Sequence, residues 1–216
     1  EGQRISAKLQ ENADYPVSDD DYEHTQCILE ILIQIVCDQP AVFDDHPNQQ
    51  KQSPLMAYCT AFTQLAATIQ LPPKVRTLAL EFFLSLAEND PSLARRKPVI
   101  AQSVIDICTD HLLLSQMDDA KWTALPYEED EDHNNLFAAG EYGLDRLVSA
   151  LTAKHSLPPI YRKLGIFHDT QVQRRGDEQY WKNNDWRRRH CAVTVITQIS
   201  DHMTVDSKEV ELATSK

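Results

Sequence analysis

Seven carboxylates crowd one short stretch of this chain: Asp118, Asp119, Glu128, Glu129, Asp130, Glu131 and Asp132. Such a set can hold a cation through its oxygens or attract a basic macromolecule. The first chemistry needs donors alternating around a tight turn, and the EF-hand alternation with its central Gly is missing. The second needs only the field, which reaches about a Debye length, ~8 Å at physiological salt. Trp122 and Tyr127 flank the run. Aromatic rings beside carboxylates can hold the aliphatic and cationic parts of a Lys or Arg, or simply tack a loop onto its scaffold.

Further carboxylates recur at helical spacing. Glu30 and Glu81 occupy equivalent slots opposite an apolar stripe, and Glu141 and Asp145 stand i, i+4 on one polar face. Together they read as an acidic ladder for an extended basic peptide, or as an ordinary solvated helix face. Trp186 opens the last strong helix, where it can meet a partner or wedge into packing. Arg187, Arg188 and Arg189, with Arg174 and Arg175, form the main basic patch. Arg76 and Arg189 are expected to bond to a carboxylate or a helix end in the neighbouring repeat.

Catalytic signatures are absent: no P-loop, no Gly-x-Ser-x-Gly and no zincin motif occurs. His24-x-x-Cys27 and Cys108-x-x-His111 are zinc half-sites in spacing alone, because an i, i+3 pair on a helix usually splits between core and surface. No enzyme activity, metal or cofactor is expected.

The net charge is −12, from 33 acidic and 21 basic residues, which repels phosphate backbones and favours partners rich in Lys and Arg. Five cysteines without paired spacing argue against a disulfide framework and for a reducing compartment, cytosol or nucleus. No apolar run is long enough to span a bilayer, and no signal peptide opens the chain. The missing initiator Met and the abrupt end suggest a segment of something longer.

The elements that must position these groups are helices. Only five glycines occur, and eleven prolines punctuate the apolar runs. Val75, Leu78, Ala79, Phe82, Phe83 and Leu86 make one continuous stripe behind Pro73. Its pattern returns 113 residues later, laying Arg76 on Arg189, Ala79 on Ala192 and Phe82 on Val195. Four core quartets follow in order: Ile28/Ile31/Leu32/Ile35, Ala79/Phe82/Phe83/Leu86, Leu144/Leu147/Val148/Leu151 and Ala192/Val195/Ile196/Ile199. Recurrence at about one HEAT repeat plus an insertion predicts an all-α superhelix, a solenoid of three to four antiparallel helix pairs. Residues 1–18 read as irregular or part of a preceding repeat, 19–202 as the solenoid, and 203–216 as a polar tail or truncated repeat. The acidic insertion covers 117–135, and a polar connection covers 168–184. Helices are expected at 54–69, 98–114, 157–167 and 185–202, among others.

Four segments in order resemble the importin-beta superfamily, most closely the importin-5 (karyopherin beta-3) group. They are Leu78 to Glu88 followed by Ala101-Gln102, then Glu128 to Asp132, then Ala139-Gly-Glu-Tyr-Gly-Leu-Asp-Arg146, then Asn184 to His190. In that group an acidic insertion interrupts a HEAT repeat, and a Gly-Glu-x-x-Leu-Asp-Arg helix follows. The insertion here is shorter, and the connection 168–184 carries extra basic residues. The resemblance implies a transport receptor segment that binds basic nuclear localisation signals, Ran in its GTP form and Phe-Gly nucleoporins. It implies no direct nucleic-acid or membrane partner, and shuttling between cytoplasm and nucleus. Its second helices would line the concave surface. A HEAT scaffold of the phosphatase-regulatory or chromosome-organising kind is the alternative. A remote one is a His-Asp metal phosphohydrolase using His168, Asp169, His155 and Asp201.

Overall fold

The computed structural model describes residues 19–44, 54–113, 136–173 and 185–202. They form α1 (Asp19–Asp38), a 3-10 turn (Pro40–Phe43), α2 (Pro54–Ala67), α3 (Pro73–Asn89), α4 (Pro91–Arg96), α5 (Pro98–Asp106), α6 (Leu136–Leu151), α7 (Ala153–Gln173) and α8 (Asp185–Ile199). α5 continues as a π-helical turn over Ile107–Leu113.

Two rows result. α1, α3, α6 and α8 stack side by side in chain order, and α2, α5 and α7 form a second layer against them. Each pair is one helix from each row: α2 with α3, α5 with α6, α7 with α8. Three pairs and the single helix α1 therefore build the all-α HEAT-repeat solenoid that the quartets anticipate.

α3 is the hub, since its neighbours are α1, α2, α5 and α6. Its stripe is almost wholly buried, and Phe82 and Phe83 have no exposed surface. Phe62 of α2 meets Phe82 edge-on, their centroids 4.6 Å apart, and Phe43 meets Phe82 likewise at 5.2 Å. Edge-to-face rings add to the area term. The Leu71-Pro72-Pro73 joint is too short for anything but a hairpin, and Pro73 sits at the first helical position, where its missing N–H is no loss.

α6 approaches closely through two glycines. A Cβ at Gly140 would lie 3.1 Å from the Cys108 carbonyl oxygen, and one at Gly143 would lie 2.8 Å from Cys108 Sγ. The π-helical turn therefore packs against a bare stretch of α6 backbone.

Several expectations are corrected. Ile28, Ile31 and Ile35 are 38%, 54% and 37% exposed, whereas Leu29 and Val36 fill the core side of α1. α1 is apolar over so wide an arc that periodicity fixed its existence but not its rotation. Ile196 is likewise exposed, and Ile69 lies beyond the end of α2 at Ala67. α7 begins at Ala153, not Leu157, and continues through His168 and Asp169 to Gln173. Pro158 and Pro159 lie inside its second turn, where each removes a backbone N–H donor from the helix ladder. The first turn is tied down by Thr152, whose carbonyl accepts the backbone N–H groups of His155 and Ser156 and the Ser156 hydroxyl. Those bonds offset the left-handed backbone of Thr152, φ 68°, which costs a β-branched residue about 1–2 kcal/mol. α4 escaped the sequence reading; the Asp90 carboxylate caps it by accepting the Leu93 N–H at 2.8 Å. The last helix ends at Ile199 and runs into a 3-10 turn.

Candidate partner-binding surface

The polar residues of the α1–α3–α6–α8 row converge where these helices meet. Arg146 of α6 reaches across to α3 and engages two carboxylates seven residues apart. Its Nη1 and Nη2 donate to Glu81 at 2.7 and 2.8 Å, and its Nε and Nη2 donate to Glu88 at 2.7 and 2.9 Å. The hydrogen bonds to Glu81, then those to Glu88, raise the Arg146 pKa further above its ordinary value, so the cation is permanent. All three side chains keep about a third of their surface in solvent.

On its other side α6 meets α8. Asp145 Oδ1 lies 2.9 Å from His202 Nε2. Burial pushes the Glu141 carboxyl above its usual range, partly opposed by a hydrogen bond with Gln198. Thus Arg146 faces the preceding helix of the row, while Glu141 and Asp145 face the following one. Tyr142, between them, is 67% exposed, and Val193 of α8 is 62% exposed.

The opposite row carries a parallel arrangement. Lys163 of α7, its side chain 12% exposed, donates to Asp106 at 2.8 Å and also to Asp110. Burial works to lower the Lys163 pKa, but the bonds to both carboxylates outweigh it and the net shift is upward. In the same row a shallow groove between α2 and α5 is lined by Met56, Cys59, Thr60, Thr63, Gln64, Ala67, Val99 and Ser103, none of them charged.

Cys108 and Cys191 are buried, and desolvation raises both thiols, Cys191 to about 12. They are packing groups, not nucleophiles. Among the described residues no three His, Cys, Asp or Glu side chains are grouped to hold a metal ion. None of the described helices is long and apolar enough to cross a membrane.

Of the residues singled out in the sequence, Glu81, Glu141 and Asp145 come together along one row. Glu81 is already engaged by Arg146, and Glu30, on α1, is exposed. Asp118, Asp119, Glu128, Glu129, Asp130, Glu131 and Asp132 lie outside the described residues, with Trp122 and Tyr127. Trp186 falls in the first turn of α8, and its side chain is outside them too. Sequence reasoning missed Arg146, Glu88, Lys163 and His202. Two of these carried a signal: Arg146 closes the Gly-Glu-x-x-Leu-Asp-Arg pattern, and Glu88 follows Glu81 by two helical turns.

Residues 69–158, from the α2–α3 joint into α7, match the family model of the importin repeat. The chain is thus similar to the importin repeat over 90 of its 216 residues. Solved structures of karyopherin Kap121p share its fold. The one bound to the extreme C-terminus of the protein phosphatase Cdc14p is 18% identical with TM-score 0.67, covering 92% of this chain. Kap121p bound to Pho4p gives 16% and 0.66 over 93%, and Kap121p bound to RanGTP gives 18% and 0.65 over 92%. The chain spans 17% of the length of each. At such identities the likeness carries the fold alone. The Gly-Glu-x-x-Leu-Asp-Arg stretch of α6 acquires a physical meaning here: Gly140 admits the π-helical turn, Leu144 fills the core, and the three charged residues reach both neighbouring helices of the row.

Proposed function

We propose that this chain is part of a nuclear transport receptor of the importin-5 type that carries basic cargo between cytoplasm and nucleus and exchanges it against Ran in its GTP form. The observation that carries the reading is the importin-repeat match across residues 69–158, the stretch holding Glu81, Glu141 and Asp145 and bracketing the acidic insertion. Kap121p, with the same fold, has been crystallised with Pho4p, with a Cdc14p tail and with RanGTP. The α1–α3–α6–α8 row is the inner wall that meets an extended peptide. The carboxylates at 118–119 and 128–132 draw basic segments toward it through their field. The uncharged groove between α2 and α5, on the outer row, suits the ring of a Phe-Gly nucleoporin.

The test is a pull-down with a Lys-rich localisation peptide, with and without Ran loaded with a non-hydrolysable GTP analogue. Salt-sensitive capture that Ran reverses is expected; capture insensitive to salt and to Ran counts against transport. Reversing Glu128, Glu129, Asp130, Glu131 and Asp132 to Lys should weaken peptide capture about ten-fold or more at low salt, with helicity by circular dichroism unchanged. Unchanged affinity removes the acidic insertion from the mechanism.

A further inference from the structure

Glu81 and Glu88 sit on the row that the transport reading assigns to cargo, yet both are already partnered, and one internal cation offsets half of their joint charge. Both are gripped by Arg146 through four hydrogen bonds of 2.7–2.9 Å, with the guanidinium lying across the junction of α3 and α6. A guanidinium held in two carboxylates is the arrangement a basic ligand side chain would itself make. We infer that Arg146 is a built-in competitor: an internal cation that withholds the Glu81–Glu88 pair from basic partners and sets the threshold for their entry at this junction.

Three features support the assignment. The contact joins successive repeats, so it is available only once the solenoid is assembled. All three side chains remain about one third exposed, so an incoming Lys or Arg can reach the carboxylates without opening the core. The displaced Arg146 would keep its charge in water, because guanidinium does not release its proton under physiological conditions. Exchange therefore trades one ion pair for another of similar strength, and only a ligand with several cations wins it. Isolated basic side chains are rejected, and multivalent basic segments are accepted. The Lys163 contact in the opposite row does not share this property, because its ammonium is almost wholly enclosed.

This inference rests on the transport reading, and the experiment separates the two. Fluorescein-labelled hexalysine is titrated by anisotropy into the 216-residue chain, into Arg146→Met, and into Arg96→Met, a control that removes one positive charge from α4 and frees the single carboxylate of Asp44. Arg146→Met is expected to bind about three- to ten-fold tighter than both wild type and Arg96→Met, as two released carboxylates allow. That advantage should vanish when Glu81→Gln and Glu88→Gln are added. Affinity of Arg146→Met equal to or weaker than that of Arg96→Met overturns the inference. Failure of wild type to bind hexalysine while Arg146→Met binds it would strike at the cargo reading and leave the competitor intact. Should Arg146→Met lose its helical circular dichroism, Arg146→Lys takes its place. It keeps the charge but not the two-pronged grip, and an intermediate gain is expected; no gain overturns the inference.

Discussion

Arg76 shows how a charged side chain can belong to the core. It is 2% exposed, and burial lowers its pKa, so the charged guanidinium needs acceptors for its N–H groups. Its Nε donates at 2.8 Å to the carbonyl of Ala66 near the end of α2, and its Nη2 donates to the carbonyl of His111 in the π-helical turn. Carbonyls at helix ends have no partner of their own, so one guanidinium completes two helices of the opposite row. The sequence reading expected Arg76 to bond to a carboxylate or a helix end in the neighbouring repeat; His111 belongs to the next helix pair, whereas Ala66 belongs to its own. The repeat-equivalent Arg189 is exposed where Arg76 is buried. Arg76→Met should destabilise by about 2–4 kcal/mol, because two buried acceptors lose their donor. Arg76→Lys should recover only part, having no planar fork to span both. Urea unfolding measures this, and a loss below about 0.5 kcal/mol for Arg76→Met would mean the carbonyls find other partners.

At the scale of elements, α6 was the most legible helix and α1 the least. The α6 quartet Leu144, Leu147, Val148 and Leu151 is buried throughout, since polar residues leave that helix a single apolar face. On α1, Ile28, Ile31, Leu32, Ile33, Ile35 and Val36 cover so much of the circumference that the pattern could not choose a side. α4 gave no periodic signal, because its six residues are shorter than the windows on which periodicity is read, and the π-helical turn was legible only as part of the helix expected at 98–114. The glycines of α6 carry the clearest test of how it docks. Gly143→Ala puts a Cβ 2.8 Å from Cys108 Sγ and 3.0 Å from Leu80 Cδ2, contacts that must open. A loss of about 1–3 kcal/mol is expected for overpacking at this interface. Cys108→Ala removes the sulfur at the tighter contact, so the double variant should be more stable than the sum of the single changes predicts. Strict additivity in thermal unfolding would show that the clash lies elsewhere.

For the whole molecule, the cations bridging repeats decide how stability is distributed. In a solenoid each repeat leans only on its neighbours, so overall stability is roughly a sum of repeat and junction terms. Arg146 joins α3 to α6, and Lys163 joins α5 to α7, each cation holding two carboxylates across a junction. The Arg146 bridge is open to water and screened by salt, whereas the Lys163 bridge is enclosed and far less so. Because the Lys163 pKa is raised, its contribution is fully present below the unfolded lysine value of 10.5 and is lost only as pH rises through the folded one. Lys163→Met should therefore cost about 1.5–3 kcal/mol at neutral pH, with little change in moderate salt. The loss should be local: α7 and α8 become less protected from hydrogen exchange, while the aromatic core of α2 and α3 keeps its protection. Mass-resolved exchange on the variant tests this directly. Equal loss of protection in α3 and α7 would show that the pairs unfold as one cooperative body, and the junction would then have no separate energy to remove.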